Sequence, residues 1–164
     1  MSAVLKGNEL VFRTMQEDDL DQVMEIECSG HDFPWSRGIF IDCLRIGYSA
    51  RVIEADNYLK AFAIMSACAG EAHLLNLCVR RSEQGQGLGG MLLLHMLGFA
   101  AQRDADIMFL EVRPSNAAAI YLYENNGFSV VGERKSYYPA ARGREDALVM
   151  SRELPPLKDS HAAG

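Results

Sequence analysis

A mixed α/β fold is predicted by three observations. Seven short apolar runs read as strands, four stretches with helical spacing are interleaved with them, and 164 residues, 49% of them hydrophobic, can bury one core but not two catalytic domains. Residues 1–154 are expected to form that domain and 155–164 a disordered tail after Pro155-Pro156.

The elements follow in order. Leu10 to Arg13 alternates as a short strand, and Glu17 to Glu27 sets Leu20, Val23, Met24 and Ile26 at helical spacing, with acidic residues at its favourable end. Phe33-Pro34-Trp35 interrupts the pattern, and Ser36 is placed to cap a second helix reaching about Arg45. Ala50 to Ala55 and Tyr58 to Ala67 are strands joined by Asp56-Asn57, a hairpin turn. Leu74 to Val79 is a strand entering a glycine-rich turn. Gly89 to Arg103 is apolar on almost every side, as a helix buried over most of its surface would be. Ile107 to Val112 is a strand, Asn116 to Asn126 a helix that Gly127 terminates, and Phe128 to Gly132 and Ala147 to Glu153 the last two strands, with Tyr137 to Gly143 a loop between them.

Composition excludes several classes. No apolar run approaches the roughly 20 residues that cross a bilayer. No secretion signal opens the chain, so a cytoplasmic location is expected. Cys28, Cys43, Cys68 and Cys78 are irregularly spaced and read as reduced core fillers. Neither they nor His31, His73, His95 and His161 form close pairs, so no metal is expected. A net charge of −6 argues against direct nucleic-acid binding, which needs clustered Lys and Arg, but suits a basic peptide.

Gln84-Gly85-Gln86-Gly87-Leu88-Gly89-Gly90 lies between a strand and a helix, where small residues let backbone N–H groups approach an anion. Gly85-x-Gly87-x-x-Gly90, with Glu111 about 20 residues on, formally matches a dinucleotide-binding fingerprint. Against it, Arg80 to Gln84 separate the strand from the first glycine, and too little chain follows for a doubly wound sheet. A nucleotide-hydrolase loop would need Gly-Lys-Ser or Gly-Lys-Thr. A turn that serves only tight packing is the remaining alternative.

Glu111 shares a strand face with Ile107 and Phe109. It is either a solvated strand-end residue or a buried carboxylate, whose pKa burial would raise toward the range of a general base. Asn116, Ala119, Ile120 and Tyr123 share a helix face. Tyr123 is either a core tyrosine or a phenol able to protonate a leaving group. Cys78 beside the turn suggests an acyl-cysteine route, but its apolar strand offers no evident activating base.

Gln84-x-x-Gly87-x-Gly89, followed by Asn116-x-x-Ala119-x-x-Leu122-Tyr123-x-x-x-Gly127-Phe128, resembles the two cofactor-side motifs of the Gcn5-related N-acetyltransferases. Leu110 to Ile120, Phe33-Pro34-Trp35-Ser36, Tyr137-Tyr138-Pro139 and Gly143 to Ala147 are similar to the RimI-type ribosomal-protein alanine N-acetyltransferases, a resemblance covering roughly Leu10 to Met150. It implies a central, mostly antiparallel mixed sheet of about seven strands, splayed beside the fourth and flanked by about four helices. It implies acetyl-CoA as co-substrate, contacted by backbone groups of Leu77 and Val79, with its pyrophosphate on Gly85, Gln86, Gly87, Leu88, Gly89 and Gly90 and Asn116 nearby. Glu111 would be the general base, Tyr123 the general acid, and Tyr137-Tyr138 part of a loop bordering the peptide groove. The substrate so implied is the N-terminal alanine of a small-subunit ribosomal protein. Gly85 and Gly90 stand where many relatives carry bulkier, often basic residues. Acetylation of a lysine or small amine, or a noncatalytic acetyl-CoA-binding module, are the competing readings.

Overall fold

The computed structural model describes residues 9–155, so the expected tail from residue 156 onward lies outside the described residues. The strands are β1 (Val11–Thr14), β2 (Ser49–Ala55), β3 (Tyr58–Cys68), β4 (Glu71–Val79), β5 (Ile107–Val112), β6 (Ser129–Pro139) and β7 (Arg144–Glu153). The helices are α1 (Leu20–Gly30), α2 (Arg37–Ile46), α3 (Leu88–Gln102) and α4 (Ala117–Asn125). The strands are hydrogen-bonded in the order β1-β2-β3-β4-β5-β7-β6. Pairing is antiparallel in β1–β2, β2–β3, β5–β7 and β6–β7 and parallel in β4–β5. The expected mixed, mostly antiparallel sheet of seven strands with four helices is what the chain forms.

The chain divides into two compact units. The described parts of Met1–Ser66 with Leu75–Leu94 form one, and those of Ala67–Leu74 with His95–Gly164 the other. In the first, Leu20, Val23 and Ile26 of α1 and Phe40 and Cys43 of α2 are buried with Val52, Leu59, Phe62, Ile64 and Cys78 of the strands. Phe40 meets Phe62 edge-on, with centroids 5.4 Å apart, and Trp35 at 5.3 Å, contacts that each add about 0.5–1.5 kcal/mol beyond the area they bury. Asp56 and Asn57 both have positive φ, as a two-residue turn matching strand twist requires. The Ser36 hydroxyl accepts from Ile39 N at 3.3 Å, the cap expected of it.

Glu27 is 1% exposed, and a buried carboxylate survives only where donors replace its water. Its oxygens accept from Trp35 N at 2.9 Å and from Asn76 Nδ2 at 3.1 and 3.3 Å. His31 Nε2 lies 3.1 Å from Oε1 at an angle that makes an ion pair rather than a directed hydrogen bond. One side chain thereby ties α1, the Phe33-Pro34-Trp35 segment and β4 together. Cys78 and Glu27 beside the imidazole push the His31 pKa up to about 10.

Those three residues also correct two expectations. Ligand-type atoms of Glu27, His31 and Cys78 lie within 4.8 Å of one another, although the sequence showed no close His or Cys pair. The helix C-terminus and a strand supply them from positions up to 51 apart in sequence, which linear spacing does not reveal. Cys78 does have a base beside it in His31, but it is 6% exposed and its Sγ faces the Ile26 carbonyl at 3.6 Å, inside the core. Cys28 and Cys68 are exposed, so only Cys43 and Cys78 are core fillers.

In the second unit, β5 pairs with β7 from Ile107↔Glu153 to Val112↔Leu148, and the first half of β4 pairs with β5 from Glu71↔Ile107 to Leu74↔Leu110. β4 begins three residues earlier than expected. β6 reaches Pro139, so Tyr137 and Tyr138 lie in a strand and not in a loop. The register shifts between Arg134 and Tyr138, where Ser136 takes a positive φ and its N–H is held by Asp146 Oδ1 at 2.8 Å. That irregularity resumes the ladder at Tyr138↔Glu145 and hides the strand from a period-2 reading. Gly127 has φ 86 and ends α4 as expected. On α3 the line Met91, Leu94 and Gly98 is exposed, so this helix is less enclosed than its composition suggested.

Replacing Glu27 by Ala strands the Trp35 N–H, the Asn76 amide and the His31 charge together, and should cost about 3 kcal/mol in urea-denaturation stability. A second outcome concerns His31. Its raised pKa adds stability that is complete below the ordinary imidazole value of 6.5 and is lost as pH rises through about 10. Melting temperature should fall across that window more steeply in the native protein than in His31→Gln.

Candidate active site

β5 alternates half-buried and buried positions, which sets Ile107, Phe109 and Glu111 on one face and Met108, Leu110 and Val112 on the other. The Glu111 side chain is 8% exposed, so it is a buried carboxylate and not a solvated strand end. His73 of β4 has Phe109 as its register partner, two residues short of Glu111 on the same face. Its Nε2 makes a close contact with Glu111 Oε2, while Arg134 Nε of β6 lies 3.2 Å from Oε1.

Each carboxylate oxygen therefore faces a nitrogen. Burial alone pushes the Glu111 pKa up, as expected from the sequence. The His73 hydrogen bond and the charges of His73 and Arg134 oppose it, and the balance falls below the ordinary glutamate value. The expected upward shift is thus reversed. An apolar strand face was legible in the sequence, but not the cations contributed by two other strands.

Tyr123 of α4 is 8% exposed and packs edge-on against Phe128, centroids 5.8 Å apart. Tyr138 lies within the electrostatic field of Glu111, Arg113 and Tyr123, which places the ends of β5 and β6 and the helix α4 around one region of this unit. Burial, with the nearby Tyr137 and Glu111, pushes the Tyr138 phenol well above its usual range. Arg113 stacks on the Tyr138 ring at 4.4 Å and donates to Pro139 O at 2.8 Å. Glu145 accepts from Arg113 Nη1 at 3.3 Å and from Ser115 N at 3.0 Å, pinning the segment before α4 to β7. The Asn116 carbonyl oxygen caps α4 by accepting from Ala119 N at 3.1 Å.

After β4, a 3-10 turn at Arg81–Glu83 carries the chain to Gln84, whose amide donates to Val79 O at 3.2 Å. Gly85 and Gly87 both have φ 81, a conformation side chains rarely adopt, and a Cβ on either would meet nothing within 4 Å. The turn's outer face is open there. α3 starts at Leu88, whose side chain is buried, so only its backbone is offered to a ligand. The first N–H groups of a helix lack intrahelical partners. This is a surface on which an anionic group fits. Leu77 and Val79 are half-buried on β4, and Gly89 and Gly90 are half-buried in the first turn of α3.

The second unit thus brings Glu111 and Tyr123 to one region with Asn116 at the start of α4, while Leu77, Val79 and residues 85–90 belong to the first. His73, Arg134 and Tyr138 lie in the surroundings of Glu111; His73 and Arg134 were absent from the candidates drawn from sequence, and Tyr138 was expected only as part of a groove-bordering loop. For His73, extending the alternation of β4 back to Glu71 would have supplied a signal. For Arg134, nothing local does.

The sequence matches the model of the Acetyltransferase (GNAT) family over residues 20–128. It is 42% identical over 133 residues to the ribosomal protein bS18-alanine N-acetyltransferase of Salmonella typhimurium, covering 81% of this chain and 90% of that protein. The Escherichia coli enzyme of the same name is 39% identical over 138 residues, covering 84% and 93%. The crystal structure of the ribosomal-protein-S18-alanine N-acetyltransferase from Escherichia coli superposes with a TM-score of 0.84 at 35% identity, covering 93% of this chain and 98% of that one.

The Glu111 pair makes a directional prediction about acid. Its folded-state pKa is lowered, so its stabilisation is present above the ordinary value of 4.5 and is lost as pH falls through the lowered one. Between about pH 5 and pH 3 the urea midpoint of the native protein should fall more than that of Glu111→Gln.

Proposed function

The chain belongs to the Acetyltransferase (GNAT) family, and from that membership we propose that it transfers acetyl from acetyl-CoA to the α-amine of the N-terminal alanine of a small-subunit ribosomal protein. The observation that carries the substrate is the 42% identity, over 90% of its length, to a relative named for that activity. Residues 1–154 serve as the catalytic domain.

The chemistry starts from charge. An α-amine with a pKa of about 7.8 is roughly one-third neutral near pH 7.5, whereas a lysine near 10.4 is only about 0.1% neutral. A terminal amine therefore attacks the thioester carbonyl with modest help. Glu111 is the basic centre that draws the proton from the attacking nitrogen, and Tyr123 gives a proton to the departing sulfur. No covalent enzyme intermediate is required, and Cys78 is enclosed in the core rather than offered to a thioester.

The remaining assignments concern the co-substrate. Backbone groups of Leu77 and Val79 contact acetyl-CoA. Gly85, Gln86, Gly87, Leu88, Gly89 and Gly90 present N–H groups to its pyrophosphate, a role the open outer face of the turn supports. Because the Asn116 carbonyl oxygen is engaged as a helix cap, its NH2 group makes the cofactor contact.

The test is mass-spectrometric detection of acetyl on peptides differing only in a free or blocked N-terminal alanine, each containing lysine. Acetylation of the free terminus alone is expected, with kcat lowered about 100-fold or more in Glu111→Gln and Tyr123→Phe. Acetylation of the blocked peptide would transfer the assignment to a lysine side chain. Reaction with neither would leave a small amine or a noncatalytic role.

A further inference from the structure

We propose that Glu27, His31 and Cys78 form a zinc site in the first unit, where a carboxylate oxygen, an imidazole nitrogen and a thiolate hold one Zn2+ and water completes the tetrahedron. The site is independent of the acetyl-transfer reading, and neither falls with the other.

Three observations carry it. First, one ligand-type atom from each residue lies within 4.8 Å of the other two, and His31 Nε2 is 3.1 Å from Glu27 Oε1. Zinc bonds of about 2.0–2.3 Å set tetrahedral donors roughly 3.2–3.8 Å apart, so shifts of about 1 Å complete the geometry. Second, His31 Nε2 is buried and makes no directed hydrogen bond among the described residues. Buried polar atoms ordinarily have a partner, and a bound cation is one. Third, a Cβ on Gly30 would stand 2.5 Å from Cys78 Sγ, although Gly30 does not have positive φ. Glycine at the end of α1 is thus explained by the space it leaves beside the sulfur and not by its backbone conformation.

The donor set selects the metal. Thiolate and imidazole together suit Zn2+, whereas Mg2+ and Ca2+ take oxygen ligands. Trp35 N and Asn76 Nδ2 already hold the Glu27 carboxylate, as outer partners orient a liganding group. The His31 side chain is 36% exposed and that of Glu27 1%, so the ion enters past the imidazole.

Charge balances in the exchange. Carboxylate, imidazolium and thiol sum to zero, as do carboxylate, neutral imidazole, thiolate and Zn2+. The imidazolium and the thiol each release a proton to solvent as the ion enters. Because Cys78 stands on β4 and the other two ligands at the end of α1, the bound ion ties helix to strand and stabilises the folded chain.

The test uses the full chain, stripped of metal with EDTA and titrated with Zn2+ or, as a spectroscopic probe, Co2+. Expected are one Zn2+ per chain, a melting temperature that rises with Zn2+ concentration, and a near-ultraviolet thiolate-to-cobalt charge-transfer band. Cys28→Ser/Cys68→Ser, which removes the exposed cysteines, should keep all three properties. Cys78→Ala should lose the band. It and His31→Gln, each checked for folding by circular dichroism, should bind Zn2+ about 100-fold or more weakly than native. Undiminished affinity in either variant, or a band that disappears with Cys28 and Cys68, would mark adventitious surface binding and overturn the site. A native chain without the band would overturn it as well. Should Cys78→Ala not fold, the band of Cys28→Ser/Cys68→Ser and the affinity of His31→Gln decide the matter in the same way.

Discussion

A carboxylate removed from water must be neutralised where it stands, and each of the two units is organised around one that has been. The desolvation cost for an unpaired ion is several kcal/mol, comparable to the whole stability of a small protein. In the first unit, Glu27 meets that demand by collecting a backbone N–H, a side-chain amide and an imidazolium. In the second, Glu111 meets it with His73 and Arg134. The two solutions differ in kind. Glu27 is matched by donors that lock segments together, whereas Glu111 is matched by side chains of two other strands, His73 and Arg134.

Cys78, the more obvious nucleophile, sits beside a histidine yet is sealed into the core beneath α1. Burial, with Tyr137 and Glu111 nearby, keeps the Tyr138 phenol protonated. Arg113 and Ser115 of the β5–α4 connection are held by Pro139 O at the end of β6 and by Glu145 of β7. The chain from β5 into Tyr123 is thereby braced on both sides. Around Glu111 the fold gathers the His73 imidazole and the Arg134 guanidinium from two other strands.

Local signals made much of this legible before any coordinates. Ser36, Asn116 and Gly127 act as helix boundaries because capping depends on a side chain and a backbone within three or four residues of each other. The Asp56-Asn57 turn and the glycine turn are legible for the same reason, since left-handed backbone is restricted to a few residue types. Period-2 patterning located β5 and the face of Glu111, and the resemblance of two motifs to those of a known family implied acetyl transfer. The same patterning failed where the backbone is irregular: the shift at Ser136 concealed the far half of β6, and the start of β4 went unread past Leu74.

What the sequence determined by itself, then, was the order of elements, their caps and turns, the fold class and the residue types available for acetyl transfer, because each depends on neighbours within a turn or a strand. Only the tertiary structure decided the charge environment. His73, Glu111 and Arg134 are separated by 38 and 23 positions along the chain. So are Glu27 and Cys78, by 51. They meet because strand order brings their elements together, and a pKa follows the nearest charges in space. Glu111 was legible as a carboxylate on an apolar face; that it carries a lowered pKa and a histidine partner came from the pairing of β4 with β5 and of β6 with β7.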